Sequence, residues 1–202
     1  MTRFFSKHIL ALLIFCTASA LFSQTDDIRN QFNNGLILYR NNDMEQARNV
    51  FADIIEQSSE NVLITSSILM ASKTAFLMQK YDEAIKYASM LIEDYQQSSY
   101  RPHAFYARAS AKFKKRNYSA SVEDFVYCIE FSESPELLRI AESTATNIVN
   151  GYIGKSSLDK IYSAYTWEQA QPILTIWRAH FAAKYGESAK SKQMLQALIA
   201  SN

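Results

Sequence analysis

The stretch "KKRNYSASVEDF" (114–125) has a counterpart 37 residues earlier in "LMQKYDEAIKYA" (77–88), and another 37 earlier still in "RNNDMEQARNVF" (40–51). In each copy a large side chain (Met44, Tyr81, Tyr118) stands three residues before a small one (Ala47, Ala84, Ser121). The same step aligns Tyr39 with Phe76 and Phe113, and Gly35 with Ser72 and Ala109. It also aligns Ile54 with Leu91 and Cys128, and Ile55 with Ile92 and Ile129. Size and polarity kept over three copies define a structural repeat in the period range of stacked supersecondary units.

Each copy reads as two helices. In the second, Ile68, Leu69, Ser72, Ala75 and Phe76 fall on one helical face. The chain then breaks at Gln79-Lys80, and Tyr81, Ala84, Ala88, Leu91 and Ile92 build a second face. The small residues at 35, 72 and 109, and those at 47, 84 and 121, let paired helices approach closely, with the aromatics filling space between them. One such pair cannot hide both faces, so the pairs must stack. The expectation is an all-α chain.

These residues resemble the tetratricopeptide repeat (TPR), which has a small residue midway along helix A and an aromatic four later. A turn, another aromatic and an alanine opening helix B follow. The first copy supplies Gly35, Tyr39, Met44, Ala47 and Phe51. The second supplies Ser72, Phe76, Tyr81, Ala84 and Ala88, and the third Ala109, Phe113, Tyr118, Ser121 and Phe125. The spacing exceeds the usual value of about 34. The proline that closes helix B stands only after the third copy, as Pro135, and the helix A tryptophan is missing. The likeness covers residues 28–135. It implies a right-handed superhelical stack of antiparallel helix pairs, an α-solenoid whose helices A line a concave groove for a protein or peptide.

Carried over position by position, the groove would hold Arg29, Phe32, Leu36, Tyr39 and Arg40, then Ser66, Leu69, Lys73, Phe76 and Leu77, then His103, Tyr106, Ser110, Phe113 and Lys114. Aromatics among Arg and Lys suit an extended or helical peptide with acidic residues. The junction "DYQQSSYRPHAFYARA" (94–109) is similar to those of bacterial envelope repeat proteins, such as the Tol-Pal coordination protein and the outer-membrane assembly lipoprotein. Gln96 replaces their proline. That likeness implies a scaffold in envelope assembly or maintenance.

Residues 24–135 are thus expected to form three helix pairs, and 136–202 divergent helical repeats with a C-terminal capping pair. "ELLRIAESTATNIVNGYIG" (136–154) predicts a helix ending near Gly151. Ser156 with Asp159 reads as a capping box, and Thr166 as the cap of the next helix, early enough for Pro172 to be tolerated. A break near Gly186 divides the last pair, with Ala179 and Ala182 as small packing residues. This tail also resembles the helical module ahead of periplasmic ligand-binding domains, as in penicillin-binding-protein activators. An alternative role is therefore the N-terminal arm of such a receptor or activator.

Residues 1–23 read as a secretory signal peptide. Arg3 and Lys7 precede the apolar run Ile9 to Phe15, and Ala18, Ser19, Ala20 and Ser23 offer cleavage after Ala20 or, preferred, after Ser23. Cys16 follows Phe15 rather than a small residue, so lipidation is not expected. The run is too short to span a bilayer, which takes roughly 20 residues. The reading places the mature chain across the inner membrane, periplasmic or associated with the outer membrane. It leaves Cys128 without a disulfide partner.

Formal charge is +1, from 21 basic and 20 acidic residues, which lacks the basic excess of a nucleic-acid binder. His103 and His180 have no His or Cys at ligand spacing. Glycines 35, 151, 154 and 186 form no phosphate loop. Cys128 reads as a small core residue. The pairs Asp82-Glu83 and Glu123-Asp124 are expected on solvated faces, with no pocket to raise a carboxyl pKa. "KFKKR" (112–116), with Arg108 nearby, reads as a solvated helix end; the functional alternative is a patch for anionic lipid or an acidic partner. No catalytic residue, metal or cofactor is expected, and the partner is another protein or peptide.

Overall fold

The structure, a computed structural model, describes residues 26–58, 61–164 and 166–201, and every regular element among them is a helix. The predicted signal peptide lies outside the described residues. Helix α1 covers 26–40. It is followed by α2 (Met44–Gln57), α3 (Asn61–Leu77), α4 (Tyr81–Asp94), α5 (Arg101–Lys114), α6 (Tyr118–Phe131), α7 (Pro135–Tyr152), α8 (Lys155–Ser163), α9 (Gln171–Lys184) and α10 (Ser188–Ala200). No described helix is long and apolar enough to cross a membrane.

The pairs are made by one turn used four times. Asn42, Gln79 and Arg116 have φ of 68°, 61° and 63°, and Gly186 has φ of 84°. In each case the residue after it donates its amide back five residues: Asp43 to Leu38, Lys80 to Ala75 and Asn117 to Lys112 at 2.9 Å, and Glu187 to Ala182 at 2.8 Å. This is the Schellman arrangement, which satisfies the last carbonyls of the first helix. Only the fourth turn has the glycine that a left-handed residue favours. Gln79→Gly and Arg116→Gly should therefore each stabilise the protein by about 0.5–1 kcal/mol. Urea midpoints test this, and a lower midpoint in either variant would show that the side chain holds the turn by a contact instead.

Within each pair the small residues meet as the sequence requires. An added Cβ on Gly35 would come within 2.8 Å of the Phe51 ring, and Phe51 is fully buried. Ser72 donates its hydroxyl to the carbonyl of Ala84 at 2.8 Å. In the next pair the roles exchange, and Ser121 on the second helix donates to Ala109 on the first at 2.7 Å. Successive helices α2 to α7 pack in chain order. In addition α3 packs on α5, α7 touches α9 and α6 touches α8, and an Arg48–Glu83 ion pair links α2 to α4.

Beyond α6 the local expectations change. Ser134 caps α7, accepting from the Leu137 amide at 3.3 Å. Helix α8 starts just after Gly154, so Ser156 is inside it and forms no capping box. Asp159 instead accepts from Arg178 Nε at 2.9 Å. Thr166 does not cap α9, which begins five residues later at Gln171 with Pro172 in its first turn. Residues 166–170 form a strap across the C-terminal end of α6. Glu168 and Ala170 both donate backbone amides to the Glu130 carboxylate at 2.9 Å, and Gln169 Nε2 donates to the carbonyls of Ile129 at 2.6 Å and Ser132 at 2.8 Å. Trp167 is buried beneath the strap. Ala179 and Ala182 are buried, as packing residues should be. Leu195 and Ile199 on α10 are exposed.

Candidate functional site

The residues assigned to the groove lie on α1, α3 and α5, the first helices of the first three pairs. Arg29, Arg40, Lys73, Leu77 and Lys114 are exposed. Leu69 is not available to a ligand: it is 4% exposed, inside the main core. Ser66 is also buried and donates its hydroxyl to the Val62 carbonyl at 2.7 Å. Both lie on α3, which α2, α4 and α5 cover together.

The aromatics mostly support the pairs. Phe32 meets Phe51 edge-on at 5.6 Å, Phe76 meets Tyr81 at 5.5 Å, and Phe113 meets Tyr118 at 5.6 Å. Tyr106 packs edge-on against Phe125 at 5.3 Å. Leu36 and Tyr39 are half-buried against the α1–α2 cluster. Ser110 donates to the Tyr106 carbonyl within its own helix. Each ring keeps only part of its surface for a partner.

Lys73 on α3 and His103 on α5 are brought into one electrostatic field. Burial holds the Lys73 ammonium below its ordinary pKa. Burial lowers the His103 imidazole, and the Lys73 charge lowers it further. His103 Nδ1 is buried with no hydrogen-bond partner. Among the described residues no ion pair engages Lys73, Arg40 or Lys114. The sign of the pH effect follows. The unfolded chain protonates its histidine near 6.5 while the folded one resists, so stability falls as pH drops through and below that value. His103→Gln should lose less stability than the parent between pH 7 and pH 5. Equal losses in urea titrations would remove His103 as the cause.

The carboxylates depart from expectation. Asp124 is not solvated but 2% exposed. Arg108 grips it with Nη2 at 2.8 Å and Nε at 2.9 Å, and Lys112 Nζ lies at 2.7 Å. Arg108 also donates to Ser89 Oγ at 2.9 Å, tying α4, α5 and α6 together. Glu83 accepts from Arg48 at 3.0 Å, and Asp82 pairs with Lys115. The run 112–116 is thus divided: Lys112 and Lys115 hold carboxylates of the fold, while Lys114 and Arg116 face solvent. Cys128 is buried, and burial pushes its thiol up to about 12, so it is a poor nucleophile at neutral pH. No group of three His, Cys, Asp or Glu among the described residues could hold a metal ion.

Residues 66–98 match the tetratricopeptide repeat family model. No curated protein matches the chain. Two crystal structures of nearly identical TPR-like repeats of a Podosopora anserina kinesin light chain resemble it in fold. One, a substituted form, is 13% identical with a TM-score of 0.50, covering 86% of this chain and 93% of that one. The other is 14% identical with a TM-score of 0.49, covering 86% and 94%. The family match is thus to residues 66–98, and the described helices share the fold of TPR-like repeats.

Proposed function

We propose that this chain is a non-catalytic, exported scaffold that binds an acidic peptide or helical segment of another protein along the inner face of α1, α3 and α5. The observation that supports it most is the Lys73–His103 cluster: a partly desolvated cation in the field of an imidazole whose Nδ1 has no hydrogen-bond partner, with no ion pair to Lys73 among the described residues. Lys73 is exposed and so within reach of a ligand, and a carboxylate from outside offsets its partial desolvation. Arg40 and Lys114 extend the unpaired positive charge toward both ends of the face. TPR repeats typically bind protein partners, which agrees with this reading.

Export rests on the leader pattern of residues 1–23, and a cell-envelope role on the likeness of residues 94–109 to envelope repeat junctions. Arg40→Glu combined with Lys73→Glu should abolish partner capture after crosslinking in the native cell, with helical circular dichroism unchanged. Undiminished capture by that variant would reject the face. N-terminal sequencing of fractionated protein tests export separately: a chain starting at Gln24 outside the cytoplasm is expected, and one retained inside with Met1 intact would refute it.

A further inference from the structure

The link between α4 and α5 and the link between α6 and α7 together line a cavity of about 510 Å³, within the range of small-molecule sites, roughly 300–1,000 Å³. Gln97 and Ser98 come from the first link, Arg101 and His103 from the first turn of α5, and Phe131 and Glu133 from the end of α6 and the link after it. Arg101 Nε and His103 Nδ1 are both buried without a hydrogen-bond partner. No carboxylate among the described residues pairs with Arg101. Its guanidinium lies over the rings of Phe105 at 5.4 Å and Phe131 at 4.9 Å. Stacking of that kind occupies the face of the group and leaves its N–H donors, which lie in the plane, for a ligand. The hydroxyls nearby are spent within the links: Ser98 Oγ accepts from the Tyr100 amide and Ser132 Oγ from the Ser134 amide, each at 3.2 Å. Thirty-seven residues earlier the same positions hold Ile64 and Ser66, both buried, with the Ser66 hydroxyl satisfied by the Val62 carbonyl. The second pair thus packs without a cation at the position where the third carries Arg101.

We infer that this cavity binds a small zwitterion of the α-amino-acid class, its carboxylate held by Arg101 and its ammonium group beside Glu133. The fork of an arginine presents parallel donors to the two oxygens of a carboxylate. The charge of the lining selects the ligand. Arg101 is its one cation and Glu133 its one carboxylate, and neither makes an ion pair among the described residues. His103, whose pKa is lowered by burial and by Lys73, adds no charge at neutral pH. A phosphate dianion would meet a single cation and the repulsion of Glu133, whereas a zwitterion answers both charges. Glu133 is exposed, so solvent screens it and Arg101 supplies the larger share of the affinity. His103 is shared with the face proposed above; Arg101 and Glu133 are not among the residues of that face.

The probes are the common L-α-amino acids, titrated singly into the full chain by calorimetry, each with its N-acetyl and its carboxamide derivative. Saturable binding of at least one amino acid is expected. Arg101→Gln should weaken it at least about tenfold, as should conversion of the ligand to the carboxamide. Glu133→Gln and N-acetylation of the ligand should each weaken it about two- to fivefold. Circular dichroism checks the fold of each variant. Should Arg101→Gln fail to fold, Glu133→Gln and the two derivatives decide alone. Arg40→Glu on α1 should leave the binding unchanged, so loss of amino-acid binding and loss of partner capture are read apart. No saturable binding of any amino acid, tighter binding of inorganic phosphate, or indifference to Arg101→Gln and Glu133→Gln would overturn the inference.

Discussion

Asp124→Ala is expected to destabilise the protein by about 3–5 kcal/mol, because it strands two cations at a buried site. The carboxylate is 2% exposed and is the shared acceptor of Arg108 and Lys112. The Arg108 side chain is itself only 14% exposed and leans over the Phe105 ring at 5.5 Å. Removing the carboxylate leaves that guanidinium in the α4–α5–α6 junction with Ser89 as its remaining close acceptor. Urea denaturation measures the loss. A loss below about 1 kcal/mol would mean that water or Glu93, 3.7 Å from Arg108, takes over. Replacing all three charged residues by apolar ones of similar volume should recover much of the stability, since breaking such a group costs more than deleting it.

Trp167→Ala should cost a similar amount, about 3–5 kcal/mol. The indole is 5% exposed, packs edge-on against Tyr127 at 5.1 Å, and donates Nε1–H to the Ile161 carbonyl at 3.0 Å. It therefore anchors both the strap of residues 166–170 and the end of α8. Trp167→Phe keeps most of the apolar burial and loses the hydrogen bond, so a loss nearer 1–2 kcal/mol is expected. Hydrogen exchange adds a local reading: amides of α8 should lose protection in Trp167→Ala before those of α3. Uniform protection across both helices would show that the strap does not control α8.

The repeat was legible because its evidence is periodic. Small and aromatic residues return every 37 positions, and the turns at 42, 79 and 116 return with them. The fate of Asp124 was not legible, because Glu123 and Asp124 look alike in a list. Only folding carries Arg108, 16 residues away, onto one of them. The strap has no period at all. Trp167 and Gln169 are placed by contacts with α6 and α8, so local rules for Thr166 and Ser156 pointed to caps that are not formed. Leu69 and Ser66 were drawn into the groove by a family pattern that treats each first helix as half open. Here α3 is wrapped by three neighbours, which takes both side chains out of reach.

The four identical turns contrast with the connections between pairs. Three residues lie between α6 and α7, six between α4 and α5, and seven between α8 and α9. The turn is therefore the constant part of each hairpin, while α3 has 17 residues and α5 has 14, a difference that the links before them offset. Insertions belong in the links, where they change the pitch from one hairpin to the next. A hairpin exchanged for another from the same chain would keep its turn but lose the ion pairs to its neighbours, Arg48–Glu83 and Lys115–Asp82 among them, so order along the stack is fixed between hairpins rather than within them.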